Sequence, residues 1–165
     1  MRRTTPLPPP FEPGADPAFL RRLRIALIRG DYNPEITRSL EEKCIEGLQE
    51  AGLRRDQITC YSVPGCFEIP ILAQRLAAQK LYDIVIALGA VIRGETFHFE
   101  LVAQECARGI MEVSLKYDIP IIFEVLATYN RRDALRRAGN NRLNKGFEAA
   151  RAALATLTAL NRVKK

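Results

Sequence analysis

Residues 82–98, YDIVIALGAVIRGETFH, decide the fold of this chain. The first seven form an apolar run that reads as a strand buried on both faces, the pattern of a parallel sheet. The next ten, Gly89 to His98, surround the only histidine with two further glycines' worth of backbone freedom, an arginine and a threonine, and a long helical pattern opens near Thr96. Open α/β sheets bind ligands at this kind of strand-to-helix junction, outside the carboxyl ends of the strands. Gly89 and Gly94 let the backbone come close to a ligand. Arg93, Thr96 and the amides opening the helix can each face an anion, and His98 can move a proton near neutral pH. A turn of purely structural purpose would share this composition, so the loop alone does not separate a site from a connection.

Outward from that stretch, the same strand-then-helix alternation recurs. Upstream, a first strand is expected at 24–29, followed by a helix start in which Asn33 caps, Pro34 takes the first helical position and Glu35 favours the positive end of the dipole. Leu40, Cys44, Leu48 and Ala51 form that helix's buried stripe, and Gly52 stops it. A second strand is expected at 57–63, ended by Pro64-Gly65, with a helix to about Lys80. The third strand is 84–88 and its helix 97–117. A fourth strand at 120–126 precedes a short basic helix at 132–138 and a longer one at 145–160. Four strands alternating with helices imply an α/β fold, a parallel sheet with helices on both faces.

The distinctive residues all follow strands: Tyr32 after the first, Cys66, Phe67 and Glu68 after the second, Ala90 to His98 after the third, and Thr128 to Arg137 after the fourth. Each has a structural explanation of its own. Together they put aromatic faces suited to a flat heterocycle and cationic or amide groups suited to a phosphate at one edge of the sheet.

Composition restricts what that site serves. At 165 residues, 47% apolar and 27% charged, the chain suits one water-exposed globular domain. Residues 1–22 form a proline-rich amino-terminal arm, expected to be extended, and residues 23–165 a single α/β domain. No apolar stretch is long enough to span a bilayer, and the first residues lack a signal-peptide core. Cys44, Cys60, Cys66 and Cys106 show no CxxC and no histidine at zinc-ligand spacing, so neither a disulfide framework nor a metal site is expected, and the cytoplasm is the expected compartment. The net charge of +6 concentrates in Arg131, Arg132, Arg136, Arg137, Arg142 and Lys145. Such a run is either a solvated face or, through one or two of its members, a grip on a phosphate-bearing metabolite. No nucleic-acid recognition motif accompanies it.

Four motifs carry a family resemblance: VPGCFEIP at 63–70, ALGAVIRGETFH at 87–98, RAG at 137–139 and NKG at 144–146. In this order they closely resemble the lumazine synthase family, from Arg24 to the carboxyl end. The resemblance implies a flavodoxin-like three-layer α/β/α sandwich around a four-stranded parallel sheet. It implies a transferase of riboflavin biosynthesis that condenses 5-amino-6-(D-ribitylamino)uracil with 3,4-dihydroxy-2-butanone 4-phosphate to 6,7-dimethyl-8-ribityllumazine, releasing phosphate and water. No metal or organic cofactor is implied. By carry-over, Tyr32 stacks on the pyrimidine, Cys66, Phe67 and Glu68 hold the ring edge and ribityl chain, and Ala90, Val91 and Ile92 offer backbone contacts. Glu95 and Thr96 bind phosphate, and His98 shuttles protons. Phe123, Arg137, Lys145 and Glu148 line the site from a neighbouring copy. The family assembles as pentamers, pentamer pairs or icosahedral shells, and riboflavin synthase is a further candidate partner.

Three positions depart from the family pattern: Tyr32 stands for Phe or Trp, Glu124 for a frequent Gly, and Leu143 for a Gly frequent in capsid-forming members. A flavin- or lumazine-binding module without catalysis and a cage-forming paralogue are the alternative readings. Retention of His98, Thr96 and Arg137 together argues against both.

Overall fold

A computed structural model describes residues 16–163. Four parallel strands, β1 (Ile25–Gly30), β2 (Ile58–Val63), β3 (Ile84–Ile92) and β4 (Ile121–Thr128), form one sheet in the order β2-β1-β3-β4. Around them lie α1 (Pro17–Arg22), α2 (Pro34–Glu50), α3 (Ile69–Gln79), α4 (His98–Tyr117), α5 (Arg131–Arg137) and α6 (Lys145–Val163). The alternation of side chains along each strand sends Ile25, Leu27, Ile84, Ile86 and Leu88 to the face covered by α2 and α6. It sends Ala26, Ile28, Val85 and Ala87 to the face covered by α3 and α4. The two central strands are therefore apolar at nearly every position, and each fully buried Ile or Leu contributes about 1.5–3 kcal/mol. The result is the expected three-layer, flavodoxin-like α/β/α sandwich. No helix among the described residues is long and apolar enough to cross a membrane.

The chain leaves β1 for β2 on one side and returns to place β3 on the other. That reversal opens a crevice between the carboxyl ends of β1 and β3, where ligands of open α/β sheets bind.

Three expectations are corrected. The third strand runs four residues further than Leu88: Gly89, Ala90, Val91 and Ile92 pair with Val125, Leu126, Ala127 and Thr128. Gly89 does not interrupt the strand, because the space a Cβ would need is filled by the Cys66 sulfur, 2.5 Å from that position. Its openness thus serves packing and not a ligand. Asn33 does not cap α2 through its side chain. It sits in the left-handed region at φ 58°, which asparagine tolerates, and donates Nδ2 to the Ala90 carbonyl at 3.1 Å. The last part of the arm is helical. Pro17 suits a first helical position, Asp16 accepts from the Ala18 amide at 2.9 Å, and Leu20 is buried, so α1 packs on the domain. Gln57 ties it down by donating Nε2 to the carbonyls of Leu20 and Leu23 at 2.8 and 2.7 Å. The extended arm expected at residues 1–15 lies outside the described residues.

Candidate active site

The crevice owes its shape to unequal strand lengths. Pairing of β1 with β3 ends at Arg29 opposite Leu88, whereas β3 and β4 stay paired to Ile92 opposite Thr128. At about 3.3 Å per residue, the β3–β4 ribbon rises roughly 13 Å above the last β1–β3 pair. From Gly89 onward, the edge of β3 that would face β1 is open. The Arg93 amide donates to the Thr128 carbonyl at 2.9 Å, so Val91 and Arg93 turn their peptide groups toward β4. By strand alternation Ala90 and Ile92 turn theirs into the crevice. Asn33 occupies the Ala90 carbonyl, an element of the site that sequence reading missed because Asn before Pro reads as a helix cap.

The loops after β1 and β2 form the opposite wall. The Asp31 amide donates to the Val63 carbonyl at 2.9 Å and the Tyr32 amide to that of Pro64 at 3.2 Å, so strand pairing continues into both loops. The Tyr32 ring leans on Gly65, whose missing Cβ would stand 3.5 Å from it. The Gly65 amide donates to Glu68 Oε2 at 2.9 Å, closing the 3-10 turn Cys66–Glu68. Tyr32 is 73% exposed and Phe67 58%, two large aromatics kept in solvent on one rim. Behind them Arg29 bridges Asp31 and Glu41, each at 2.8 Å. Its guanidinium holds the Asp31 carboxyl below the ordinary range. Cys66 is different: its side chain is buried in the core, leaving only its backbone near the rim. Burial pushes its thiol up to about 11, so it is a neutral thiol at pH 7 and not a nucleophile.

Above the crevice, Gly94, Glu95, Thr96, Phe97 and His98 are all exposed at the start of α4. The residue preceding the helix is Phe97, which supplies no side-chain cap, so first-turn amides are left for water or an anion. Arg93 is drawn aside. Its guanidinium lies 5.7 Å from the Tyr129 ring centre and 3.8 Å from Glu100, so it is engaged by the protein where the sequence offered it to an anion.

The remaining expected residues gather elsewhere. Phe123 pairs with Ala87, five residues before the end of the β3–β4 ribbon, and lies 41% exposed on the sheet's edge strand. Glu124 points to the opposite face, toward Lys145 and Glu148, which form an ion pair in the first turn of α6. Burial, assisted by Glu148 and opposed by Lys145, pushes the Glu124 carboxyl up to about 7. Of the basic segment, Arg131 pairs with Glu35, Arg136 with Asp133, Arg142 with Glu50 and Lys145 with Glu148. Most of it is thus a paired, solvated face. Arg137 donates Nη1 to the Asp133 carbonyl at 3.2 Å and has no carboxylate partner among the described residues. No cluster of three or more His, Cys, Asp or Glu among those residues is arranged to hold a metal ion.

The sequence profile of the 6,7-dimethyl-8-ribityllumazine synthase family matches residues 22–161. A protein of Ruthia magnifica subsp. Calyptogena magnifica described as 6,7-dimethyl-8-ribityllumazine synthase is 40% identical over 158 residues, covering 93% of this chain and 95% of that protein. The matched span contains both walls of the crevice, the start of α4 and the β4–α6 cluster, and the chain belongs to the 6,7-dimethyl-8-ribityllumazine synthase family.

Proposed function

We propose that this enzyme joins the amine of 5-amino-6-(D-ribitylamino)uracil to 3,4-dihydroxy-2-butanone 4-phosphate at the crevice between β1 and β3, forming 6,7-dimethyl-8-ribityllumazine with release of phosphate and water. The observation that carries the site is the open edge of β3. It offers in-plane hydrogen-bonding groups at Ile92, next to the Ala90 carbonyl that Asn33 holds, with exposed aromatic faces at Tyr32 and Phe67 beside it and an uncapped helix start above. A flat pyrimidine uses the first two and a phosphate the third. In this reading Tyr32 stacks on the ring, Phe67 and Glu68 hold its edge and the ribityl chain, Val91 backs the strand, and Glu95 and Thr96 flank the phosphate.

The reaction needs several proton transfers. The pyrimidine amine adds to the ketone and water leaves; a proton lost from carbon lets phosphate depart; the ribityl-bearing nitrogen then closes the ring as a second water leaves. His98, exposed at the first position of α4 between the two subsites, gives and takes these protons. Holding amine and ketone together supplies much of the acceleration, since both are already reactive.

A neighbouring copy completes the site. Phe123 lies on the edge strand level with Ala87, below the open part of β3, and Lys145 and Glu148 lie on α6 against Glu124 at the other face of that strand, positions that suit them to a neighbour's crevice. Arg137 reaches the neighbour's phosphate. The outer face of α4 and α3 supports self-association: Leu101, Met111 and Leu115 recur on one side of α4, exposed, with Ile71 on α3. Repetition of such a head-to-tail contact closes into a ring, a pentamer or a shell of pentamers. The free thiols suit the reducing cytoplasm, and the product's natural recipient there is a riboflavin synthase.

The decisive measurement mixes the purified protein with both substrates, without added metal or cofactor, and follows the yellow lumazine; no product overturns the reading. His98→Ala slows turnover toward the lower end of the 10²- to 10⁴-fold span of acid–base groups, on the order of a hundredfold. His98→Ala and Arg137→Ala chains, unfolded and reassembled together, recover activity at about a quarter of their contacts, because only that share combines both wild-type groups. Mixed rings no more active than the separate variants exclude a shared site.

A further inference from the structure

We propose that Cys66 is a positioning residue of the pyrimidine subsite, setting through its buried thiol how far the Phe67 rim stands from Tyr32. The inference rests on the reading of that subsite given above and extends it to a residue that never meets the ligand through its side chain.

Two glycines make the seat for this thiol. A Cβ on Gly89, in β3, would lie 2.5 Å from the Cys66 sulfur, a separation no pair of atoms sustains. A Cβ on Gly30, at the end of β1, would lie 3.5 Å from the sulfur, 3.4 Å from the Cys66 amide nitrogen and 3.3 Å from the Gly65 carbonyl carbon. The side chain of Cys66 therefore occupies volume vacated on both strands bordering the crevice. Val125 closes the same seat, 3.3 Å from the would-be Gly89 Cβ. The thiol packs on the α3/α4 face of the sheet, across the ends of the two strands whose divergence opens the site.

The turn carrying the ligand-facing groups hangs on this thiol. Phe67 and Glu68 follow Cys66 directly, in a single 3-10 turn too short to absorb a displacement. Gly65 precedes it, held by Glu68 Oε2 at 2.9 Å and touched by the Tyr32 ring. Ala90, next to Gly89, is pinned to Asn33 beside Tyr32. Movement of the sulfur thus shifts Phe67 and Glu68 relative to Tyr32 and Ala90. The Cys66 turn packs on the body of α4, where Cys106 shares its buried cluster about two turns into the helix, whereas the phosphate reading uses only the exposed residues at the helix start, beyond Arg93.

That separation is what the experiment reads, with KM measured for each substrate. Gly89→Ala forces the sulfur out and raises the KM for ribitylaminouracil by about tenfold or more, a size consistent with misplacement of an ångström or less, while the KM for the phosphate-bearing ketone stays within about twofold. Gly89→Ala combined with Cys66→Ala returns the missing volume and brings the pyrimidine KM back to within about threefold of the wild type, a non-additive rescue expected of groups in direct contact. Cys66→Ala alone raises the pyrimidine KM by about three- to tenfold through a loosened turn. A double variant no better than Gly89→Ala, or an equal rise in both KM values, overturns the proposal. Should Gly89→Ala not fold, Cys66→Ala decides, and an unchanged pyrimidine KM there overturns it equally. A wild type that makes no lumazine sinks the reading of the subsite itself; a working wild type whose variants leave the two KM values unseparated sinks only the positioning role.

Discussion

Between α2 and α6 the backbones meet through glycine: a Cβ on Gly146 would lie 2.1 Å from the Leu40 carbonyl oxygen, and one on Gly47 would lie 3.0 Å from both Phe147 and Ala150. On the other side of the sheet α3 and α4 also touch closely, at Gly109 against Pro70, yet they leave Ile71, Leu101, Met111 and Leu115 facing outward. Within α2 and α6 themselves, the exposed large apolar residues are confined to the far end of α6, at Leu160 and Val163. One layer is finished within a single chain. The other keeps an apolar outer surface that water alone would cover at a cost, the surface to which the proposed self-association is assigned. In the function proposed above the site follows this division, with its own-chain half at the strand ends and its other half supplied from a neighbour's sheet edge.

Breaking the closed layer has the largest effect. Gly146→Ala drives a methyl group into the Leu40 carbonyl and the Cys44 amide, backbone atoms that no rotamer change can move. Its cost sits at or above the upper end of overpacking penalties, about 3 kcal/mol, read as a lowered denaturation midpoint in urea. A variant as stable as the wild type would show that α6 has more room than its glycine contact implies.

Charging the open layer comes next. Met111→Glu with Leu115→Glu places two carboxylates on the outer face of α4, away from the start of the helix that holds His98. Native mass spectrometry should then find monomers with unchanged far-ultraviolet circular dichroism, and activity should fall with the loss of the ring. Intact rings would move the association surface elsewhere.

Arg137→Ala sharpens the division of the site. A charge-assisted hydrogen bond contributes about 1.5–3 kcal/mol, so the KM for the phosphate-bearing substrate should rise by about ten- to a hundredfold while the pyrimidine KM hardly changes. Equal loss on both would point to general damage.

A pH-dependent effect tests the rim of the closed layer. Burial raises the Glu124 carboxyl to about 7, so between its unfolded pKa near 4.5 and that value the native state holds a proton that the unfolded chain releases. Stability from this group is fully present below the unfolded value and is lost as pH rises toward 7. Glu124→Gln removes the loss, and its thermal midpoint should exceed the wild type's by a margin that grows from pH 4.5 to 7 and then levels off. A margin independent of pH would mean that the carboxyl titrates in its ordinary range.

Strand identity and order along the chain were legible because buried parallel strands require continuous apolar runs, and 82–88 is such a run. Helix ends were legible within a few residues where proline or glycine marks them, as at Pro34 and at Gly52 with its φ of 105°. The site residues were legible as types following strands. The length of β3 was not, because a glycine in a strand reads as a break until the sulfur that fills its place is known. The role of Asn33 was hidden for a similar reason: its partner is Ala90, 57 residues away.

The sequence by itself determined the layer architecture, the family and the set of chemical groups, since periodicity, strand-end position and local motifs depend on neighbours along the chain. Only the tertiary structure decided which of those groups share a crevice, that Cys66 faces the core while Phe67 faces solvent, that Arg93 is engaged by Tyr129 and Glu100, and that β3 outruns β1. Those outcomes depend on register and on volume exchanged between residues far apart in sequence, which emerge only when strands and helices pack.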